Sequence, residues 1–112
     1  MNEVLEYLDE HGRSPFARWF RRLKAAPAAK VATALVRMEQ GNLSTAKGVG
    51  SGVFETRIDF GPGYRIYFGK DGDRVIILLG GGTKQRQHRD IEAAKTRWKD
   101  YKRRKKAQTQ EI

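Results

Sequence analysis

Cysteine is absent from the 112 residues of this sequence. Its absence excludes a disulfide framework and any metal site built from thiolates. The two histidines, His11 and His88, lie far apart and neither is accompanied by an acidic cluster, so we expect no metal and no other cofactor. Long apolar stretches are missing as well, and the N-terminal residues lack the basic and apolar regions of a signal peptide. We therefore expect a cytoplasmic protein without a membrane partner.

Acidic residues are scarce relative to basic ones. The chain has 13 Asp and Glu against 23 Lys and Arg, which gives a formal net charge of +10. The excess lies toward the end of the chain, where residues 84–112 hold eleven basic and four acidic side chains. This charge predicts an anionic partner, but it does not choose between RNA, DNA and an acidic protein. The length suits one domain with a single core.

The segment 53–84 is predicted to form three consecutive antiparallel strands. Asp71-Gly72 is a two-residue hairpin signal, and Gly61-Pro62-Gly63 fits a three-residue loop. With these loops, one face of the sheet is apolar: Phe54, Ile58, Phe60, Tyr64, Ile66, Phe68, Val75, Ile77 and Leu79. The opposite face is mixed: Glu55, Arg57, Asp59, Arg65, Tyr67, Arg74, Ile76 and Leu78.

The mixed face allows two interpretations. Asp59 is predicted to lie opposite Arg65, and Arg57 opposite Tyr67, so the face fits a solvated surface with a cross-strand ion pair. Two arginines and a tyrosine together also fit a functional surface. Ile76 and Leu78 require a cover on this face, because the last strand is apolar on both sides.

Helices are predicted on both sides of this segment in the chain. Ser14-Pro15 begins one helix, with the apolar stripe Phe16, Trp19, Phe20 and Leu23. A second helix is predicted from about Pro27 to Gln40. Thr83 is a candidate cap for a C-terminal helix whose stripe is Ile91, Ala94, Trp98 and Tyr101, and which we expect to cover Ile76 and Leu78.

Two remaining segments are assigned from weaker signals. Residues 2–9 are interpreted as an edge strand of the sheet. Residues 47–52 (KGVGSG) are interpreted as a flexible connector rather than a phosphate loop, because the Gly-Lys-Ser/Thr ending is missing and a strand follows.

Four motifs in this order resemble the RelE/ParE toxin superfamily, and more narrowly the phage-derived addiction-module killer proteins, also called HigB-like. The motifs are Gly12-Arg13-Ser14-Pro15-Phe16, Phe54-Glu55-Thr56-Arg57, the run Gly61-Pro62-Gly63-Tyr64-Arg65-Ile66-Tyr67-Phe68, and Gly81-Gly82-Thr83-Lys84-Gln85 leading into Arg89-Asp90-Ile91. Thr83 stands where the family commonly has Asp.

The resemblance implies a RelE-like α+β fold. We expect a small antiparallel sheet formed by an N-terminal strand and a three-stranded meander. An N-terminal αα-hairpin would cover one face, followed at the end of the domain by a basic helix. The toxin domain is predicted to comprise residues 1–101, and residues 102–112 are predicted to form a basic, frayed tail.

The resemblance also implies a function. It predicts the toxin of a type II toxin–antitoxin module, a metal-independent endoribonuclease that cuts mRNA in the ribosome. Its partners would be mRNA, the ribosome and a helix-turn-helix antitoxin, with operator DNA bound only through the antitoxin. Carried over to this chain, the candidate catalytic residues are Arg65, Lys84, Arg57, Tyr67 and His88. We assign further RNA contacts to Arg74, Arg86 and Arg89.

The chemistry of RNA agrees with such a set of residues. RNA is cleaved when its 2′-OH attacks the adjacent phosphate, so a protein needs to supply orientation, positive charge and proton transfer. Arg57 and Arg65 are suited to stabilising the transition state, and Tyr67 to stacking on a base or donating a proton. Two alternatives remain at this point: a gyrase poison with the same fold, and an inactive relative that binds only the antitoxin and operator DNA.

Overall fold

The computed structural model describes residues 1–110 and has one mixed sheet with helices on both faces. The strands are β1 (Glu3–Glu6), β2 (Ala46–Gly50), β3 (Val53–Ile58), β4 (Tyr64–Asp71) and β5 (Val75–Thr83). The α-helices are α1 (Pro15–Arg21), α2 (Ala25–Glu39) and α3 (Gln87–Gln110), and a 3₁₀ turn, Lys84–Arg86, leads into α3. The predicted α+β class is confirmed, and the architecture is compatible with a RelE-like fold.

The strand order in the sheet is β1-β5-β4-β3-β2. Strand β1 lies at one edge as predicted and runs parallel to β5, which makes the sheet mixed rather than purely antiparallel. The interpretation of residues 47–52 as a connector was wrong, since most of this segment is the edge strand β2. The sequence hides this strand because three glycines leave little side-chain alternation, and Ser51 turns the chain with a φ of 58°.

The turn between β4 and β5 is longer than predicted, and this changes the faces of β5. Asp71 pairs with Val75, so three residues form the loop instead of two. Lys70 pairs with Ile76 instead of Asp73, a register shift of three residues, and an odd shift moves every side chain of a strand to the other face. Ile76 and Leu78 therefore pack under α1 and α2, and Ile77 and Leu79 pack under α3, which reverses both predictions.

The turn between β3 and β4 is also longer than predicted, but its faces are unchanged. Ile58 pairs with Tyr64, so the register differs by two residues from the predicted one. An even slip keeps each side chain on its face. It does change the neighbours: Arg57 lies opposite Arg65, and Asp59 does not face Arg65.

The helical hairpin of α1 and α2 covers one face of the sheet, as predicted. Ser14 caps α1, because its hydroxyl accepts a hydrogen bond of 3.0 Å from the backbone N–H of Ala17. The stripes of both helices enclose a core with the even-numbered residues of β4 and β5. Its fully buried members are Phe16, Val31, Met38, Ile66, Phe68, Ile76 and Leu78.

Helix α3 covers the other face, and its predicted stripe is confirmed. The Trp98 ring lies directly on Gly69, where a Cβ would come within 2.5 Å of the ring. Thr83 makes no capping hydrogen bond with its side chain, and α3 begins only after the 3₁₀ turn. The basic run 102–106 is helical and continues α3 to Gln110. A separate tail beyond residue 101 stays a prediction.

The far part of α3 is tied to the body of the fold by charged side chains. Asp100 accepts hydrogen bonds from the hydroxyl of Tyr7 and from Arg104, and Lys105 contacts Asp71 in the β4–β5 turn region. None of the helices in the described part of the chain combines the length and apolar character that a membrane span needs.

Candidate nucleic-acid interface

Arg65 is a buried arginine with unused hydrogen-bonding capacity. It is the second residue of β4, where it pairs with Arg57 of β3 and Gly82 of β5, and only 4% of its surface is exposed. Among residues 1–110, neither Nε nor Nη1 of Arg65 finds a hydrogen-bond acceptor. Leaving such groups unpaired in the interior costs free energy. Both atoms are also shielded from solvent, so the positive charge of Arg65 is fixed within the fold.

Glu55 supplies the counter-charge that makes this burial tolerable. Its Oε2 lies 3.7 Å from Nε of Arg65, close enough for an ion pair and too far for a hydrogen bond. The same oxygen accepts a hydrogen bond of 2.9 Å from the side-chain amide of Gln87, the first residue of α3. Lys47 of β2 lies 3.7 Å from Oε1. Three elements thus converge on one buried carboxylate below Arg65.

An open cleft of about 330 Å³ lies beside this arginine, and we call it the Arg65 cleft. Its lining includes Arg57, Asp59 and Lys84, together with the Gly61-Pro62-Gly63 loop. The loop runs close to the arginine, since a Cβ at Gly63 would lie 3.7 Å from Nη1 of Arg65. The structure therefore brings together Arg57, Arg65 and Lys84, as the sequence predicted.

Arg57 and Lys84 differ from Arg65 in their exposure to solvent. The Arg57 side chain is 59% exposed and is held by Asp59, with Nη2 3.0 Å and Nε 3.1 Å from Oδ1. Lys84 is exposed and follows directly on the end of β5. The cleft therefore combines one buried guanidinium with two exposed cations, next to a single carboxylate that already has a partner.

Comparison with known proteins gives the chain its family. Residues 18–99 match the family model described as Phage derived protein Gp49-like (DUF891). The chain belongs to this Gp49-like family. It is also 42% identical over 81 residues to an uncharacterized protein of Haemophilus influenzae, an alignment that covers 71% of this chain and 82% of that protein. Residues 18–99, which match the family model, contain all three cationic residues of the Arg65 cleft.

Tyr67 of the Gp49-like chain is not accessible to RNA. Its side chain is fully buried on the α3 face, and no hydrogen-bond partner for its hydroxyl lies within the described residues. Burial, and after it the charge of Glu55, raises the pKa of Tyr67, so the hydroxyl stays protonated at neutral pH. The prediction that Tyr67 stacks on a base is corrected, because the cover by α3 leaves the side chain inside the core.

The other predicted residues are spread over the surface. His88 and Arg89 are exposed in the first turn of α3, and neither lines the Arg65 cleft. Arg74 is exposed in the β4–β5 turn, at the opposite end of β5 from Lys84. Arg86 lines a different cleft on the other side of the end of β5. Lys84 and two of the five arginines named from the sequence, Arg57 and Arg65, therefore share one site.

Sequence reasoning missed Glu55 and Gln87. Glu55 was placed on the mixed face, but an acidic residue in a strand gives no sign of burial until the helix above it is positioned. A usable signal was the alternation Glu55, Arg57 and Arg65, Tyr67 on neighbouring strands, which places one carboxylate among two arginines. In residues 1–110, no group of three or more His, Cys, Asp or Glu side chains could hold a metal ion.

Proposed function

We propose that this Gp49-like protein is the toxin of a type II toxin–antitoxin module, related to the RelE/ParE superfamily, and that it cuts mRNA on the ribosome in the cytoplasm. The observation that carries the proposal is the fixed, buried guanidinium of Arg65, which lines a cleft together with two exposed cations. Anionic transition states are stabilised best by charges that are fixed before the reaction begins.

The reaction is an attack of the RNA 2′-oxygen on the adjacent phosphorus. The bond from phosphorus to the 5′-oxygen of the next nucleotide breaks, and the products are a 2′,3′-cyclic phosphate and a 5′-hydroxyl. The proton lost from the 2′-OH goes to water, and the leaving 5′-oxygen takes a proton from water or from Lys84. Arg65 supplies a fixed positive charge beside the phosphate, and the exposed cations Arg57 and Lys84 contact its non-bridging oxygens.

The cleft offers little help in removing the 2′ proton. Its carboxylate, Asp59, is engaged by Arg57, and the hydroxyl of Tyr67 is buried away from it. Slow cleavage of free RNA follows from this lack. The ribosome supplies the missing orientation by bending the message toward in-line attack, an effect that in aligned systems contributes roughly 7–11 kcal/mol.

The expected partner, besides mRNA and the ribosome, is a helix-turn-helix antitoxin that neutralises the protein and carries it to operator DNA. The net charge of +10 supports an acidic or masking partner, because an unneutralised basic nuclease binds RNA indiscriminately.

The test is a defined mRNA incubated with the protein alone, with the protein and programmed ribosomes, and with variants and ribosomes. Cleavage is expected only in tubes that contain ribosomes, and it should be strongest with wild-type protein. Lys84→Ala should weaken cleavage, whereas Arg21→Ala, an exposed arginine of α1 outside the Arg65 cleft, should not. If no tube shows cleavage and the protein blocks gyrase supercoiling, the protein is a gyrase poison instead.

A further inference from the structure

A second basic cleft lies on the other side of the end of β5 and plays no part in the reaction described above. It has a volume of about 460 Å³ and is enclosed by α1, the end of β5 and the start of α3. Its lining contains five arginines and no lysine: Arg13, Arg18, Arg22, Arg86 and Arg97. We call it the arginine cleft.

The acidic residues of the arginine cleft do not neutralise it. Asp9 is used by the chain itself, because its carboxylate accepts hydrogen bonds of 2.9 Å from the backbone N–H groups of His11 and Arg13. Asp90 lies against Gly82, and its burial raises the pKa of its carboxyl. Within the described residues, neither carboxylate forms an ion pair with an arginine of the cleft.

The arginines themselves are available to a ligand. Arg97 is anchored by a hydrogen bond of 2.9 Å from Nη1 to the backbone carbonyl of Leu79, which leaves other N–H groups of its planar fork unused. The other four arginines of the cleft are exposed to solvent. Guanidinium groups match phosphate geometry better than ammonium groups do, since they bind two oxygens at once.

An aromatic ring completes the lining. Trp19 is partly exposed in the arginine cleft, and its ring lies on Gly81, where a Cβ would overlap it. The backbone of β5 is therefore covered by the ring at this point. Proteins that hold single-stranded nucleic acid combine basic grooves with aromatic rings on which bases stack.

The two clefts are neighbours along the chain and in the sheet. Gly82 lines the arginine cleft and pairs with Arg65, while Lys84 lines the Arg65 cleft two residues later. The end of β5 is thus the wall between them. An RNA strand bound in the Arg65 cleft could therefore extend past the end of β5 into the arginine cleft.

We propose that the arginine cleft is a second RNA-binding site, which takes the phosphodiester backbone of single-stranded RNA next to the strand in the Arg65 cleft. The proposal rests on the proposed function for its ligand class. Two sources offer the same chemistry, the message beside the cut and the ribosomal RNA around it. An acidic protein segment fits less well, because it would leave Trp19 and the continuity with the Arg65 cleft unused.

The experiment compares Arg18→Ala/Arg22→Ala with Arg21→Ala, a matched control from the same helix that lies outside the arginine cleft. The probe is a fluorescent single-stranded RNA whose 2′ positions are methylated, so that it cannot be cut. Binding is followed by anisotropy over a range of salt concentrations. Removal of one arginine–phosphate interaction lowers the slope of log Kobs against log salt by about 0.7 for a single strand, so the slope should fall by about 1.4 in the double variant and stay unchanged in the control.

A second arm replaces the RNA oligonucleotide with ribosomes that carry no message and measures co-sedimentation. A loss by the double variant in the first arm assigns the cleft to the message, and a loss only in the second arm assigns it to ribosomal RNA. Unchanged binding in both arms overturns the proposal. So does a poly-glutamate peptide that binds wild type and not the double variant while RNA binding stays unchanged.

Two controls keep the result interpretable. If the double variant does not melt cooperatively like wild type, Arg86→Ala, on the opposite wall of the cleft, replaces it, with an expected fall in slope of about 0.7. The mRNA cleavage assay runs in parallel. Cleavage by wild type without any fall in slope refutes the second site alone, and a fall in slope without cleavage refutes the nuclease alone.

Discussion

The two faces of the sheet bury their side chains in different ways. Under α1 and α2 the buried side chains are apolar apart from Thr56, whose hydroxyl finds no hydrogen-bond partner among the described residues. Aromatic rings stack there, as Phe54 and Phe68 do with centroids 5.6 Å apart. Under α3 the apolar cluster around Trp98 adjoins a polar end that contains Glu55, Arg65 and the hydroxyl of Tyr67. The first face supplies stability alone. The second gives up part of its stability to hold a charge in place, since buried polar groups without hydrogen bonds are destabilising.

The largest expected effect is a loss of stability when a side chain of the apolar face is truncated. Phe68 is fully buried, so Phe68→Ala should lower the free energy of unfolding by about 3–5 kcal/mol, because apolar burial is removed and a cavity is left behind. Urea denaturation followed by circular dichroism measures it. Leu5→Ala, at a site 44% exposed, should change little. A decrease below about 1 kcal/mol for Phe68→Ala would mean that the face collapses around the gap.

The next effect separates charge from geometry on the α3 face. Arg65→Lys keeps the positive charge but loses the planar fork, so ribosome-dependent cleavage should fall about 10- to 100-fold, or roughly 1.4–2.7 kcal/mol. The free energy of unfolding should change by less than about 1 kcal/mol. Arg21→Lys serves as the control for charge on the surface. Equal activity of the Arg65 variant and wild type would show that charge alone suffices.

A smaller effect is expected for Glu55→Gln. The substitution keeps the shape and a partner for Gln87 but removes the counter-charge of Arg65. Since the 3.7 Å contact is not a hydrogen bond, stability should fall by about 1–3 kcal/mol, the cost of a buried group left unsatisfied. Cleavage should fall as well, because Arg65 is then positioned less firmly. A double-mutant cycle with Arg65→Lys measures the coupling energy between the two residues. Additive effects in that cycle would argue that Glu55 does not position Arg65.

Tyr67→Phe should make the face under α3 more like the apolar face under α1 and α2. It removes a buried hydroxyl without a partner, so we expect stability at neutral pH to stay equal or to rise by up to about 1 kcal/mol. Cleavage should be unchanged. If Tyr67→Phe lowers mRNA cleavage without lowering the free energy of unfolding, the hydroxyl has a catalytic role.

The smallest effect is a dependence on alkaline pH. The pKa of Tyr67 is raised in the folded state, mainly by burial, so the folded protein binds this proton more tightly than the unfolded chain does. Stability from this source is complete below the unfolded value near 10 and is lost as pH rises above it. Burial and Asp71 also raise the pKa of Tyr101, to about 12, which adds in the same direction. Denaturation curves at pH 9 and 11 should differ more for wild type than for Tyr67→Phe.

Much of the fold could be predicted because its signals are local. Ser14-Pro15 marks the start of α1, and the stripe from Ile91 to Tyr101 identifies the buried side of α3. The β4–β5 register could not be predicted, because Asp71-Gly72 also fits a longer turn. The longer turn shifts the register by an odd number of residues, which reverses the faces of β5. Strand β2 was missed because its glycines have no side chains to show the alternation of apolar and polar residues.

The candidate site was predictable only in its charges. Arg57, Arg65 and Lys84 were found through motifs, and the structure places them in one cleft. The burial of Tyr67 and the support by Glu55 depend on where α3 lies, and this is fixed by contacts between residues far apart in the chain. Gln87, for example, lies 32 positions from Glu55. Pattern analysis within one strand cannot reach such a contact.

The position of β5 has a consequence for how the protein is made. The first strand of the chain pairs with β5, whose residues leave the ribosome roughly seventy positions later, and Gln87 follows later still. Long-range pairing of this kind delays folding until both partners are available. During its own synthesis the nascent chain therefore lacks a finished Arg65 cleft until β5 and Gln87 have been made.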